Sequence, residues 1–149
     1  MSAFPKPDYT FDEYLDCFLA FLQQKKLKGT YERGYILFAV YELEPHFTIA
    51  VLEERVRQYK YRISKVTLYH TLELLMEAGL LMKHYFSNQA QPQYEKLYNN
   101  KTHAHLCLNK VQKVIDFSDS RIDEIIKDIG KQYNVSPTRY SFVVYCDGE

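Results

Sequence analysis

One amphipathic segment between Ser64 and Gly79 constrains the fold of this chain of 149 residues more than any other. Ser64 is a favourable helix N-cap and Gly79 a favourable stop, and Leu68, Leu72 and Leu75 recur between them at helical spacing. Such a stripe has to be buried against other elements. The neighbouring segments must therefore supply a core on one side of this helix.

The first turns of this helix carry polar and basic side chains on the other face, among them Lys65, Tyr69 and His70. The segment 55–65 that leads into it has no acidic residue and five basic ones: Arg55, Arg57, Lys60, Arg62 and Lys65. This pattern suits a helix that enters a DNA groove while basic neighbours hold the phosphates. A surface helix with a solvated charged lead-in has the same pattern, so both interpretations stay open on this segment alone.

The charge and cysteine content exclude several classes of protein. The 19 basic and 19 acidic residues cancel, which argues against a protein that coats nucleic acid indiscriminately. No apolar run is long enough to span a bilayer and the N-terminus lacks an export signal, so we expect a cytoplasmic protein without a membrane partner. Three scattered cysteines are too few for a disulfide framework.

Three further helices are predicted before Ser64, over 11–26, over 30–43 and from a cap at Thr48 to Tyr59. The last is joined to the Ser64 helix by a short turn, which is the layout of a helix-turn-helix.

After Gly79 the pattern changes to period two, and strands are predicted over 80–86 and 94–98 around a polar loop. This hairpin, or wing, completes an N-terminal winged helix-turn-helix DNA-binding domain over 1–98. A linker over 99–102 follows. Strands over 103–108, 113–117 and 140–146, with a helix between the last two, predict a small α/β dimerisation domain over 103–149. The predicted fold class is therefore α+β.

A His-x-His pair points to a metal site. In a strand, His103 and His105 lie on the same side, with Glu95 on the preceding strand and Asp116 on the next one within reach. A pair of ordinary surface histidines would show the same spacing, so the residues alone leave this alternative open.

Three stretches in this order resemble the ferric uptake regulator family of metal-responsive, dimeric, winged-helix repressors. They are Lys28-Gly29-Thr30-Tyr31-Glu32-Arg33, then Val66-Thr67-Leu68-Tyr69-His70 with Glu77-Ala78-Gly79, and finally His103-Ala104-His105-Leu106 with Lys113-Val114-Ile115-Asp116-Phe117-Ser118. The resemblance implies a homodimeric repressor-like regulator that binds palindromic operator DNA when a divalent metal is bound.

By this resemblance, Lys28 and Arg33 lie near the DNA backbone and minor groove, and Tyr69 packs on thymine methyl groups. His70 stands where the family usually has arginine, and a neutral imidazole cannot give the bidentate contact to guanine that arginine provides. The full set of predicted DNA-binding residues is Lys28, Arg33, Arg55, Arg57, Lys60, Arg62, Lys65, Thr67, Tyr69 and His70.

The resemblance also implies a regulatory metal site with five ligands: His46, Glu95, His103, His105 and Asp116. One ion would then bridge the two domains. Iron(II) is the family's usual effector, while nitrogen and oxygen ligands also suit Mn²⁺ or Zn²⁺.

The sequence departs from the family at its structural zinc. Leu108 and Val111 stand where a Cys-x-x-Cys pair is common, and Cys146 stands alone. We therefore expect no structural zinc of this kind, with apolar packing in its place. Cys107 shares strand parity with the histidines and could contact a haem, but a buried core thiol is the simpler interpretation.

Three alternatives to a metal-gated regulator stay open from the sequence. The nearest is a haem-responsive or metal-independent winged-helix regulator. A metal-dependent hydrolase would need an open coordination position and an acid-base pair, and no such pair is recognisable, so we predict that the protein is not an enzyme. A protein-interaction module would use the segment 55–65 only as a solvated surface.

Overall fold

The computed structural model describes residues 8–98 and 104–148, and the chain divides into two units. The first unit extends to Tyr85 and also contains Gln91–Tyr98, while the second contains Phe86–Ala90 and the described residues from Ala104 onwards. The predicted linker over 99–102 lies outside the described residues. None of the helices in the described ranges is long and apolar enough to cross a bilayer.

Four helices build most of the first unit. They are α1 (Phe11–Gln24), α2 (Tyr31–Glu42), α3 (Ile49–Arg57) and α4 (Lys65–Glu77). Each begins after a residue whose hydroxyl accepts a hydrogen bond from the backbone N–H three residues further on, which satisfies one of the free donors of the first turn. These N-caps are Thr10, Thr30, Thr48 and Ser64. All four predicted helices are confirmed, with ends that differ by one or two residues.

Helix α4 packs its leucine stripe into the core as predicted, since Leu68, Leu72 and Leu75 are buried. The helix ends where Gly79 adopts a left-handed conformation with φ of 74°. The N–H of Leu80 then donates to the carbonyl of Leu75 at 2.9 Å, which closes the last turn. Gly79 is therefore required by backbone geometry at this stop.

A small antiparallel sheet completes the first unit. Its strands are β1 (His46–Phe47), β2 (Leu81–His84) and β3 (Gln93–Lys96), in the order β1-β3-β2. The wing strands β2 and β3 are shorter than predicted, and β1 was not predicted because two residues give no periodic signal. Phe47, Leu81 and Tyr94 face the helical core. Side chains on the other face of the sheet are free to form a site.

The second unit is a three-stranded sheet with one helix. Its elements are β4 (Ala104–Leu108), a 3₁₀ turn (Asn109–Val111), β5 (Lys113–Phe117), α5 (Ser120–Tyr133) and β6 (Phe142–Cys146). Strand β4 lies in the centre, antiparallel to β5 and parallel to β6, so α5 lies in the connection between the two edge strands. The final strand begins two residues later than predicted.

The polar loop of the wing contributes to the second unit. The side-chain amide of Asn88 donates to the carbonyl of Lys113 at 3.4 Å, and that of Gln89 donates to the carbonyl of Gln112 at 3.1 Å. Gln112 has a left-handed conformation, with φ of 51°, at the turn before β5. The loop side chains thus donate to backbone carbonyls at the turn before β5 and at the first residue of this edge strand.

Lys96 ties the end of β3 to the end of α2. Its ammonium group donates to the carbonyl of Tyr41 at 2.8 Å and also to that of Leu43. These carbonyls belong to the last turn and the C-cap of α2, which lack partners within the helix. Because the group is largely buried, desolvation lowers the pKa of Lys96 to about 8.

Replacing Lys96 by Met should remove a pH-dependent part of the stability. In the unfolded chain the pKa of this lysine returns to 10.5, so between about pH 8 and pH 10.5 the unfolded state binds more protons than the folded state. The free energy of unfolding of the wild type, relative to Lys96→Met, should therefore rise with pH across this window and stay constant below it. Urea unfolding at a series of pH values measures the difference, and a difference independent of pH would contradict the assignment.

Candidate metal centre and nucleic-acid interface

A buried carboxylate, Glu95, lies at the centre of the candidate site in the first unit. It is only 1% exposed, although it carries an ionisable group. Strand β1 places His46 directly opposite it in the register, and Nε2 of His46 lies 3.2 Å from Oε2 of Glu95. Burial of a carboxylate is costly unless a partner compensates for the lost water. The His46 imidazole on the neighbouring strand is such a partner.

A second imidazole contacts the other oxygen of Glu95, and the sequence analysis did not identify it. Nε2 of His84 on β2 lies 3.3 Å from Oε1, and His84 is 4% exposed. Strand parity could have shown it, because His84 faces Gln93 in the register and so lies on the same side of the sheet as Glu95. The alternation over 80–86 predicts a wing strand and by itself does not assign a role to His84.

The second unit holds the other predicted ligands that lie among the described residues. His105 on β4 faces Asp116 on β5 in the register, and its Nε2 lies 3.5 Å from Oδ1 of Asp116. The His105 side chain is fully buried and the ring of Phe86 lies 5.1 Å from it, centroid to centroid, while Asp116 remains partly exposed. His103 lies outside the described residues, so its place among the ligands stays a prediction.

The geometry of both pairs suits a divalent cation. Two ligand atoms bonded at ~2.0–2.2 Å to one ion lie roughly 3.0–3.5 Å apart in tetrahedral or octahedral geometry. The distances of 3.2 Å in the His46–Glu95 pair and 3.5 Å in the His105–Asp116 pair fall in this range. Imidazole nitrogen with carboxylate oxygen is a donor set that manganese, iron and zinc accept.

Leu108 and Val111, which stand where the family commonly has a Cys-x-x-Cys pair, lie at the end of β4 and in the 3₁₀ turn after it. Val111 is 67% exposed, so the expectation that apolar packing replaces the zinc at this position is wrong. The Asn109 side chain instead donates to the Asp147 carboxylate, which links the turn after β4 to the end of β6. Cys107 is buried, and this burial raises the pKa of its thiol, in agreement with a core role.

Helix α4 exposes the face predicted to read DNA. Lys65, Val66 and His70 are exposed at its N-terminal half, and Thr67 is half-buried beside them. Tyr69 is 45% exposed, and its hydroxyl lies 3.4 Å from Oε1 of Glu53 on α3. The contact to the preceding helix limits the positions that the tyrosine ring adopts on this face.

Basic side chains flank this face, and two of them have acidic partners. Arg55 lies 3.5 Å from Glu42, and Arg57 pairs with Glu54 on the same helix. The remaining basic residues of the lead-in, Lys60, Arg62 and Lys65, are exposed. Near the start of α2, Lys28 is exposed and its carbonyl accepts a hydrogen bond from Nη1 of Arg33. Exposed ion pairs are weak, so all these cations can turn to phosphate.

A helix-turn-helix with an exposed basic face, followed by a two-stranded wing and a separate α/β unit, defines the class of winged-helix DNA-binding regulators. The chain belongs to one family of this class. The sequence model of the ferric uptake regulator family matches residues 24–145. The resemblance found in the sequence motifs is confirmed, as is the α+β fold.

Similar proteins agree with this assignment. The chain is 28% identical over 137 residues to the ferric uptake regulation protein of Campylobacter jejuni, covering 91% of this chain and 86% of that protein. It is 29% identical to the protein of the same name from Vibrio anguillarum over 125 residues, covering 83% of each chain. The crystal structure of the Vibrio cholerae ferric uptake regulator matches with a TM-score of 0.61 and 27% identity, over 87% of this chain and 98% of that chain.

Membership in this family places the protein among metal-responsive, DNA-binding transcription regulators. The family is one of regulators and not of enzymes, so the prediction of no enzymatic activity is confirmed and the hydrolase alternative is set aside. Its members bind divalent metals and act as dimers.

Proposed function

We propose that this protein is a cytoplasmic, homodimeric repressor that binds palindromic operator DNA when a divalent metal joins its two units. The observation that carries the proposal is the buried Glu95 carboxylate, which has an imidazole within 3.3 Å of each oxygen. A buried group of this kind is typical of a metal site, because the cation offsets the cost of burying the charge.

The proposed regulatory ion takes ligands from both units: His46 and Glu95 from the first, and His103, His105 and Asp116 from the second. The first unit supplies two of these ligands and the second three, whereas divalent ions take four to six, so ligands from both units fill more of the coordination positions than either unit does alone. An ion bound to both would restrict the angle between the units. In a dimer this angle sets the spacing of the two α4 helices against successive major grooves.

The proposed homodimer rests on apolar surface in the second unit. On one face of its sheet Ile115, Phe142 and Val144 are 37 to 41% exposed. On α5, Ile125 and Tyr133 are 55% and 67% exposed. A second copy that covers these side chains would remove from water a surface that a monomer rarely exposes.

The first experiment compares operator binding with and without metal. Chelator-stripped protein is titrated against its own promoter DNA by fluorescence anisotropy at fixed salt, before and after addition of Mn²⁺ as an air-stable substitute for iron(II). We expect affinity to rise at least tenfold with metal, because the ion selects the DNA-binding arrangement. Equal affinity in both states would contradict metal gating while leaving the winged helix as the DNA reader.

The histidines of the chain offer a matched control for the ligand assignment. His105→Ala should weaken Mn²⁺ binding and abolish the metal dependence of DNA binding, because it removes a buried ligand. His70→Ala changes the same residue type on the exposed face of α4 and should leave Mn²⁺ affinity unchanged. Competition with a fluorescent chelator measures both affinities. If the two variants lost Mn²⁺ affinity equally, the assignment of His105 would be wrong.

His84 should act as a positioning residue that holds Glu95 toward the ion. Loss of a residue that hydrogen-bonds to a metal ligand typically lowers metal affinity by about 10–100-fold. We therefore expect His84→Ala to lower the affinity for Mn²⁺ by a factor in this range. His84→Gln keeps an N–H donor at a similar place and should recover most of the affinity. Equal losses in the two variants would contradict a role for the N–H donor of residue 84.

His70 should determine part of the base preference. Its exposed position on α4 suits contact with base edges, and His70→Arg would introduce a bidentate donor for guanine. We expect tighter binding or a shift of preference toward guanine at one position of each half-site. Selection of bound sequences from a random DNA library measures this, and an unchanged affinity and preference would refute base reading by residue 70.

A further inference from the structure

A groove between α1 and α2 in the first unit is lined by none of the proposed metal ligands and by no residue of α4. It is open to solvent and has a volume of about 430 Å³, within the ~300–1,000 Å³ typical of small-molecule pockets. Leu15, Leu19 and Leu22 line it from α1, and Phe38 lines it from α2. Leu19 and Phe38 are 41% and 36% exposed, so the groove presents apolar surface to solvent.

Gly34 shapes this groove and has no other structural explanation. It lies inside α2, where glycine is the least favourable residue apart from proline. A Cβ atom built on Gly34 would meet no atom within 4 Å, so no neighbour requires the missing side chain. Its position among the lining residues means that a larger side chain would project into the groove. The unfavourable glycine thus keeps open a space that a ligand can fill.

The polar side of the groove is basic. Arg33 lines it, and Nη1 of its guanidinium donates a hydrogen bond to the carbonyl of Lys28. The other N–H groups of the guanidinium are available to bind an anion. Among the residues that the structure describes, no carboxylate forms an ion pair with Arg33 and no acidic side chain lines the groove. Glu32 is adjacent in sequence but projects from a different side of the helix.

We propose that this groove binds an amphipathic carboxylate of the medium-chain fatty acid class, with its chain along α1 and its carboxylate on Arg33. An apolar trough with a single cation at one side matches a ligand with one anionic end and an extended apolar body. A neutral chain would lack the charge-assisted hydrogen bonds, and a cationic one would face Arg33 unfavourably.

The test is calorimetric titration of the full chain with decanoate below its micelle concentration, and with decyltrimethylammonium, which has the same chain and the opposite charge. We expect saturable binding of decanoate with Kd below about 1 mM, and at least tenfold weaker binding of the cation. No saturable binding, or equal binding of the two amphiphiles, would overturn the proposal.

Two leucine variants locate the site. Gly34→Leu fills the groove and improves helix propensity, so it should fold while its affinity for decanoate falls at least tenfold. Gly148→Leu adds the same side chain where a Cβ also meets no atom within 4 Å, outside the groove, and should bind as the wild type does. Circular dichroism confirms folding of both. Equal binding by Gly34→Leu and the wild type would place the ligand elsewhere.

Arg33→Gln tests the carboxylate contact. This variant should reduce the preference for decanoate over decyltrimethylammonium by about tenfold and retain the apolar contribution of the groove. An unchanged preference would show that Arg33 does not bind the carboxylate.

One consequence rests on the proposed function. If Arg33 also contacts operator DNA, decanoate should compete with DNA in the wild type and not in Gly34→Leu. Calorimetry without DNA tests the groove separately, and metal-dependent DNA binding without decanoate tests the regulator separately, so the failure of one is distinguishable from the failure of the other.

Discussion

The contact between the Glu95 carboxylate and two imidazoles is the interaction on which the rest of the first unit's sheet depends. Glu95 occupies the central strand, with His46 at 3.2 Å on one neighbouring strand and His84 at 3.3 Å on the other. A carboxylate that is 1% exposed would be costly without these partners. The three strands are therefore joined by polar side chains on one face in addition to their backbone hydrogen bonds. The same arrangement makes this face chemically suited to a cation.

The pleat of β3 separates this site from the helical core. Successive side chains point to opposite faces, so Glu95 faces the histidines while Tyr94 lies in the apolar core and Lys96 binds carbonyls at the end of α2. Side chains on both faces of β3 thus stabilise the register of this strand. A change of register by one residue would exchange the two environments and place the carboxylate in the core, which the cost of an unpaired buried charge forbids.

The proposed roles occupy different parts of the first unit. Reading of DNA uses the exposed face of α4, the metal uses the polar face of the sheet, and the apolar groove lies between α1 and α2. Arg33 on α2 has two proposed roles, since it lines the groove and is predicted to lie near the DNA backbone. A single side chain shared in this way gives a physical route by which a ligand in the groove would change DNA affinity, because the carboxylate and the DNA would compete for the same guanidinium.

The sequence by itself determined the local structure, because caps and periodicity act within a few residues. Ser64, the leucine stripe and Gly79 defined α4 to within two residues, and alternation indicated five of the six strands in the described residues, all but β1. The ordered motifs also identified the family. Only the tertiary structure decided which polar groups meet. Pairing across strands brought His84 to Glu95, the chain after β2 placed Phe86 beside His105, and packing of two helices created the groove at Gly34. These contacts join residues that are distant in sequence or that show no periodic pattern. They are therefore determined by strand register and helix packing, and not by the local secondary-structure preferences of the residues.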